Sequence, residues 1–353
     1  MRIVVLGTGP FAVPMFESVL QSRYDVPALI TRPTPPAKGR DKGLVNPMRT
    51  AAEGHSRAVH APESINSDEG KRLIERLAPE LFVVCDYGQI LSADVLSLAP
   101  LGGINLHASL LPKYRGAAPI QWALLSGESE TGVSVIHMTP RMDAGPILAT
   151  RSTRIGSDET HPQLEERLAT IGIEAVHEAI ERLATWDRAS PIGAPQDPSQ
   201  ATKAPRLKKE HGEVDWSRTA EEIRNKVRAL KPWPGTFTFW RRPGHEPLRI
   251  VIDNVSVLGL GARAAVRIAE LEASGAGATP LHVPGEVVVS DGKQLLVATG
   301  EGGLGIAAIA PAGKRHMTVA EFLRGYRVKE GDVLGRDVTA TSNTSPHPSI
   351  PPR

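Results

Sequence analysis

The segment from residue 103 to residue 116 reads Gly-Ile-Asn-Leu-His-Ala-Ser-Leu-Leu-Pro-Lys-Tyr-Arg-Gly and decides how the rest of the chain is interpreted. It begins as a short apolar strand, but Asn105 and His107 interrupt the apolar run that a strand buried on both faces should show. Because the two residues are two positions apart on a strand, their side chains share one face. We therefore expect an amide and an imidazole side by side at the carboxyl end of this strand, where open α/β sheets bind ligands.

A carboxylate follows in the stretch Met-Asp-Ala-Gly-Pro-Ile, where Asp143 lies in a turn between two predicted strands. An amide and a protonated imidazole stabilise negative charge on an oxygen, and a carboxylate fixes the tautomer of the imidazole. The three residues therefore suit attack on a carbonyl carbon. The same residues also fit structural roles, in which Asn105 caps a loop, His107 packs in the core and Asp143 closes an Asx turn. A second histidine, His137, lies in a predicted strand and is a rival for the catalytic role.

The stretch from Asn105 to Gln121, followed by Met142 to Ile147, resembles the signature of the folate-dependent formyltransferases. The similarity runs from residue 1 to about residue 337 and is greatest to those members that formylate methionine carried by initiator tRNA. It implies an α/β fold, in which a Rossmann-like parallel-sheet formyltransferase domain precedes a small OB-like antiparallel β-barrel. The boundaries expected from the sequence are a catalytic domain at 1–185, a linker at 186–205, a tRNA-binding barrel at 206–337 and a disordered tail at 338–353.

The length of 353 residues predicts two domains, because a single hydrophobic core rarely serves so long a chain. The single cysteine, Cys85, fits a reducing compartment, and neither a signal peptide nor an apolar run of roughly 18 residues is present. These features predict a cytoplasmic protein, which we expect to act as a monomer away from membranes. Charge is uneven, because residues 203–249 hold 12 Lys and Arg against 6 Asp and Glu. Such an excess is found on solvated surfaces and on nucleic-acid footprints.

The first strand is followed by Gly7-Thr8-Gly9-Pro10, which is similar to a dinucleotide fingerprint. A third glycine is absent, and Pro10 removes an amide that a phosphate would need. No metal-ligand cluster or phosphate-binding Walker loop is apparent either. We therefore expect no nucleotide cofactor and no metal.

The resemblance assigns roles to three groups of residues. The catalytic residues are Asn105, His107 and Asp143, which promote attack of an amine on the formyl group of 10-formyltetrahydrofolate without a covalent acyl-enzyme. The expected folate-binding residues are Ser109, Leu110, Leu111, Pro112, Asp86, Tyr87, Gly88, Gln89, Ile90 and Leu91. The expected contacts to initiator methionyl-tRNA are Lys38, Arg40 and Lys42 in one loop, and Lys208, Lys209, Arg224, Arg228 and Arg315 in the second domain.

Relatives that share this catalytic domain differ in the acceptor, so alternatives stay open at the level of sequence. One alternative is formylation of an amino sugar linked to a nucleotide. Another is hydrolysis of 10-formyltetrahydrofolate, in which water is the acceptor. A catalytically silent tRNA-binding protein is a third, although such a protein has no use for Asn105, His107 and Asp143.

Overall fold

The computed structural model describes residues 1–34, 45–242, 244–258 and 282–335, which divide into two compact units. The first unit comprises Met1–Ala123 and Ser129–Arg206, and the second comprises Leu124–Glu128 and the chain from Leu207 onward. The loop cations Lys38, Arg40 and Lys42 lie outside the described residues, as does the predicted tail.

The first unit is built on one seven-stranded sheet with the spatial order β3-β2-β1-β4-β5-β6-β7. Its first five strands are parallel, whereas β6 and β7 run antiparallel to their neighbours. The strands β1 and β4 are wholly buried apolar runs, as expected for strands covered on both faces. The strands are β1 (Ile3–Gly7), β2 (Ala28–Ile30), β3 (Ala58–His60), β4 (Leu81–Cys85), β5 (Gly103–His107), β6 (Glu130–His137) and β7 (Ile147–Arg154).

Helices cover this sheet because their apolar residues recur every three or four positions. The helices are α1 (Val13–Leu20), α2 (Pro47–Gly54), α3 (Asp68–Leu77), α4 (Ala93–Ser97), α5 (Pro119–Leu125) and α6 (His161–Ala184). Apolar residues at helical spacing, among them Leu164, Leu168 and Leu183, predict a helix over 158–183, and α6 confirms it. A capping box between Thr160 and Gln163 begins α6, and Pro162 occupies its first turn. Leu164 and Leu168 are among its buried residues, and the helix packs on β6 and β7.

The direction of chain winding changes beside β1, because β2 lies on one side of it and β4 on the other. Gly7 at the end of β1 is in register with Cys85 at the end of β4. Such a switch point opens a crevice at the carboxyl ends of the strands. The loops that leave β1, β4 and β5 therefore meet at one edge of the sheet.

The second unit contains an antiparallel sheet with the order β10-β11-β12-β9-β8, and β13 pairs with β12. Leu334 bridges to Trp240 on β8, while the adjacent Val333 bridges to Glu286 just before β10. One segment thus links the two edge strands, so the sheet curls and closes, and the predicted small barrel is confirmed. Its elements are α7 (Ala220–Ala229), β8 (Thr236–Arg242), β9 (His245–Leu258), β10 (Val287–Ser290), β11 (Leu295–Ala298), β12 (Gly303–Pro311), β13 (Met317–Thr318) and α8 (Val319–Gly325).

The core of the second unit is formed by buried aromatic and aliphatic side chains, among them Trp216, Ile252, Leu304 and Phe322. Helix α7 starts with a capping box in which Thr219 and Glu222 bond to each other's backbone amides, as the sequence predicted. Among the helices described in both units, none has the length and apolar character needed to cross a membrane.

Candidate active site

A cavity of about 550 Å³ opens at the carboxyl edge of the first unit's sheet. Its size is within the range of small-molecule sites. The strands β4 and β5, the turn after β6 and the start of α6 all contribute to its wall. The polar residues in this wall are Asp86, Gln89, Asn105, His107, Gln121, Thr139, Arg141, Asp143, His161 and Glu165.

Asn105 reaches the cavity because β5 presents alternate side chains to its two faces. On the other face, Leu106 packs against Gly172 of α6, where a Cβ atom would lie 2.9 Å from the Leu106 Cδ2 atom. The half-buried side chain of Asn105 has no hydrogen-bond partner among the residues that the structure describes. Its amide is therefore available to a ligand.

His107 is 5% exposed and stands beside Asn105 on the same strand face. Its Nε2 atom lies 2.9 Å from the carbonyl oxygen of Tyr114. A carbonyl can only accept, so Nε2 carries a proton and donates it to this bond. The other ring nitrogen, Nδ1, lies 3.8 Å from Oδ2 of Asp143. The ring is thus oriented by the backbone on one side and faces a carboxylate on the other.

Asp143 lies in the turn between β6 and β7 with a φ of 51°. Its Oδ2 atom accepts a hydrogen bond of 2.8 Å from the backbone amide of Gly116. The short turn from Tyr114 to Gly116 therefore holds both side chains, because the Tyr114 carbonyl orients His107 and the Gly116 amide binds Asp143. The backbone of this turn is itself bonded to Thr202. The three residues predicted to be catalytic are brought together on one wall of the cavity.

His137 does not line this cavity. Its Nε2 atom bonds to the carbonyl oxygen of Leu101 at 3.0 Å, and its ring packs edge-on against Trp186. These contacts make it a structural residue of the sheet, so it is not a rival to His107.

The segment after β4 was predicted to border the folate, and the residues from Asp86 to Leu91 all line the cavity. Asp86 has a φ of 46°. A Cβ atom on Gly9 would lie 1.6 Å from Oδ2 of Asp86. The Asp86 carboxylate therefore occupies the space that a side chain on Gly9 would need. The side chain is exposed to the cavity, yet the surrounding protein removes enough water to raise its pKa to about 6. Burial, and then Asp86, raise the pKa of the neighbouring Glu165.

The predicted folate residues Ser109, Leu110, Leu111 and Pro112 are not among those that line this cavity, and their contact with the folate stays a prediction. Ser109 is fully buried, and its hydroxyl donates to the carbonyl of Lys113 at 2.7 Å. The Leu111 amide donates to the Ser134 hydroxyl at 3.1 Å. These bonds fold the segment back on itself, so its side chains shape the turn rather than the cavity wall.

Five polar residues of the wall were missed by sequence reasoning, namely Gln121, Thr139, Arg141, His161 and Glu165. Gln121 bonds to His161 at 2.8 Å, and Glu165 follows one turn later on α6. Periodicity predicted this helix and its apolar face. Which polar residues face the cavity depends on how α6 packs on the sheet, and no local sequence signal carries that information.

In the second unit, the predicted tRNA-binding cations differ in exposure. Lys208 and Lys209 are exposed, and the side chain of Arg315 is 74% exposed and paired with Glu321. Arg224 pairs with Glu221. Arg228 is 8% exposed and its Nε donates to Asn225, and its contact with tRNA stays a prediction. Its guanidinium belongs to the packing of α7 rather than to the surface.

Comparison with protein families gives matches along most of the chain. The description "Formyl transferase" matches residues 1–180, and "Formyl transferase, C-terminal domain" matches residues 206–327. The chain belongs to the formyl transferase family. One relative is the methionyl-tRNA formyltransferase of Rhodopirellula baltica, 46% identical over 341 residues that cover 95% of this chain and 96% of the relative. Another is the methionyl-tRNA formyltransferase of Solibacter usitatus, 37% identical over 95% of this chain and 99% of the relative.

Solved structures share the fold at low sequence identity. The N-formyltransferase from Helicobacter canadensis, in complex with folinic acid and dTDP-3-aminofucose, superposes with a TM-score of 0.56 at 16% identity, covering 87% of this chain and 98% of that one. HypX from Aquifex aeolicus, in complex with tetrahydrofolic acid, gives a TM-score of 0.56 at 17% identity over 92% of this chain. The chain spans about half the length of HypX, with 47% of it covered. These likenesses bear on the fold, which is the one predicted from the sequence.

Proposed function

We propose that this enzyme transfers the formyl group of 10-formyltetrahydrofolate to the α-amino group of methionine esterified to initiator tRNA. The observation that carries the proposal is the meeting of Asn105, His107 and Asp143 on one wall of a cavity large enough for a folate. Membership of the formyl transferase family supports the reaction class. Relatives named methionyl-tRNA formyltransferase, up to 46% identical, support the acceptor.

The residues around the cavity fit a reduced folate. Backbone from Asp86 to Leu91 runs along one wall and offers amides and carbonyls to the hydrogen-bonding edge of a pterin ring. Leu91, Ile136 and Met138 supply apolar surface for the ring faces. When bound, the folate supplies a formyl carbon that an amine can attack.

Each of the three polar residues has a distinct task in this reaction. The amide of Asn105 and the protonated Nδ1 of His107 donate to the formyl oxygen as negative charge develops on it. Asp143 balances the positive charge of the imidazole and receives the proton that the amine gives up, on its way to the departing folate nitrogen. At 3.8 Å from Nδ1, Oδ2 is beyond hydrogen-bond distance, so the Nδ1 proton can donate to the formyl oxygen while the carboxylate still attracts the imidazolium charge. No covalent acyl-enzyme is needed.

For the tRNA, we propose that four cations of the second unit neutralise backbone phosphates, namely the exposed Lys208, Lys209 and Arg315 and the partly buried Arg224. The loop cations Lys38, Arg40 and Lys42 stay a proposal from sequence, in which they position the acceptor end over the formyl carbon. We further propose that the enzyme acts as a monomer and that it works in the cytoplasm. The single cysteine of the chain fits the reducing conditions of that compartment.

The proposal is tested by incubating the purified protein with 10-formyltetrahydrofolate and methionyl initiator tRNA. Methionyl elongator tRNA, an amino-sugar nucleotide and buffer alone serve as alternative acceptors. We expect formylmethionyl-tRNA with initiator tRNA, far less with elongator tRNA, and no product from the sugar. Formylation of the sugar alone, or release of tetrahydrofolate without any acceptor, would replace the proposed function with one of its alternatives.

A further inference from the structure

The stretch 194–204, expected from the sequence to belong to a linker, contacts both segments that carry the catalytic residues. At its start, the backbone of Ala194 exchanges two hydrogen bonds of 2.8 Å with Ile147, at the beginning of β7. Near its end, Thr202 accepts from the Arg115 amide at 2.9 Å, and Ala204 donates to the Arg115 carbonyl at 2.7 Å. This stretch, which we call the 194–204 strap, therefore connects the turn after β5 to β7, the strand that follows Asp143.

Gln196, in the middle of the strap, uses all of its hydrogen-bonding capacity at this junction. Its Nε2 atom donates to the carbonyl oxygen of Asp143 at 2.9 Å and to that of Gly145 at 2.7 Å. Its Oε1 atom accepts from Nε of Arg115 at 3.1 Å and from Nη2 at 2.6 Å. Two donors and two acceptor sites are the full complement of a carboxamide.

The chemistry of these neighbours selects a carboxamide over other side chains of similar size. Two carbonyls on one side can only accept, and a guanidinium on the other side can only donate. A carboxylate would keep the bonds to Arg115 but would turn an anionic oxygen toward the carbonyls of Asp143 and Gly145. A methionine would keep the length and lose every bond. The neighbours of this position therefore match both parts of a glutamine carboxamide, the NH2 group and the carbonyl oxygen.

We propose that Gln196 is a positioning residue, which holds the Asp143 turn against Arg115 so that the carboxylate stays bonded to Gly116 and faces His107. The expected effect on catalysis rests on the proposed function. The expected effect on the Asp143 turn rests on the hydrogen bonds described above. Among the described residues, the side chain of Gln196 hydrogen-bonds to the backbone of the Asp143 turn and to Arg115, so we infer that it acts through Asp143. Displacement of a reacting group by about 1 Å can lower a rate by about 10²-fold.

The first experiment measures steady-state formylation of initiator tRNA by the Gln196→Glu variant. We expect kcat to fall by about 10- to 10²-fold, while KM for both substrates stays within about threefold, because the binding surfaces are unchanged. Gln196→Met should show the same pattern, which separates loss of the bonds from the added charge. The matched control is Gln200→Glu, since Gln200 is exposed and, within the part of the chain that the structure describes, its side chain bonds only to Asp197, at 3.0 Å. This control should retain the wild-type kcat.

A double-variant comparison separates positioning from a general loss of structure. In an Asp143→Ala background, Gln196→Glu should cause no further fall in kcat, because the group it positions is gone. If the two losses multiply, Gln196 does not act through Asp143 and the proposal is overturned. A wild-type kcat in Gln196→Glu overturns it as well.

A readout without catalysis keeps this inference distinct from the proposed function. The amide of Gly116 donates to Oδ2 of Asp143, so hydrogen exchange at this amide reports whether the carboxylate is held. We expect faster exchange at Gly116 in Gln196→Glu and Gln196→Met, with wild-type exchange in Gln200→Glu. Unchanged exchange at Gly116 in both Gln196 variants contradicts the positioning role, whatever acceptor the enzyme uses.

Discussion

The Nδ1 atom of His107 lies 3.8 Å from Oδ2 of Asp143, although His107 ends β5 and Asp143 lies in the turn after β6, 36 positions later. Neither side chain sets this separation by itself. The Tyr114 carbonyl orients the imidazole, and the Gly116 amide holds the carboxylate. One turn thus fixes the geometry of the pair, and the predictions below start from that dependence.

Asp143→Asn tests the charge of this carboxylate. The amide oxygen of asparagine can still accept from Gly116, so the turn should keep its conformation. The asparagine side chain cannot balance the charge of an imidazolium or take a proton, so we expect kcat to fall by about 10²–10³-fold with little change in KM. Steady-state formylation measures both. Asp197→Asn, at an exposed position with local bonds to Ser199 and Gln200, should stay at the wild-type rate. A similar loss in both variants would mean that the charge of Asp143 has no special role.

Gly145→Ala tests the backbone of the Asp143 turn. A Cβ atom on Gly145 would lie 1.8 Å from the carbonyl oxygen of His137, so the turn must shift. We expect the free energy of unfolding to fall by about 1–3 kcal/mol, as in overpacked sites, together with a loss of kcat. Gly54→Ala is the matched control, because the added methyl would meet no other described residue within 4 Å beyond its chain neighbours and the backbone of its own helix. Equal stability of the two variants in chemical denaturation would contradict the close packing of this turn.

Asp86→Asn tests the effect of burying a carboxyl group in the cavity wall. The folded-state pKa of Asp86 is about 6, above its usual 3.8. Below about pH 4 the group is protonated in both states and has no effect. Between pH 4 and pH 6 only the folded state keeps the proton, so the wild-type residue becomes more destabilising as the pH rises, and above pH 6 the penalty is complete. The stability of Asp86→Asn relative to wild type should therefore rise from pH 4 to pH 6 and then level off.

The measurement for Asp86 is urea denaturation of both proteins at a series of pH values. Asp187 provides a control of opposite sign, since hydrogen bonds from Ser190 and Ala189 lower its pKa. Asp187→Asn should therefore lose stability relative to wild type as the pH rises from the depressed pKa to about 4, and the difference should stay level from pH 4 to pH 6. A flat difference between wild type and Asp86→Asn across this range would show that the carboxylate is fully solvated.

Much of the fold and the catalytic part of the site followed from the sequence because local patterns carry them. The interruption of an apolar strand by Asn105 and His107 placed two polar groups on one face, and the structure puts both on the cavity wall. The period of apolar residues in α6 and the capping box of α7 were also sufficient to predict those helices. In each case neighbours in sequence determine the feature.

The parts that sequence did not reveal depend on contacts between distant segments. Gln196 lies in a stretch rich in proline and polar residues, which is typical of linkers, and nothing local predicts its four bonds. The hydroxyl of Ser109, which is predicted at the folate, closes its own turn at Lys113. Arg228, which is predicted to contact tRNA, is buried on the inward face of α7. Burial and pairing of such polar groups are decided by tertiary packing, which periodicity does not encode.

The most direct test of the account is a single-turnover measurement of formyl transfer in which both substrates are already bound. Saturating enzyme is mixed with methionyl initiator tRNA and 10-formyltetrahydrofolate, and the rate is compared for wild type, Asn105→Ala and His107→Ala. Loss of one donor to the developing negative charge should lower the transfer rate by about 10²–10³-fold in each variant, while tRNA affinity stays near the wild-type value. A transfer rate close to wild type in either variant would contradict the assignment of these two residues as the catalytic donors.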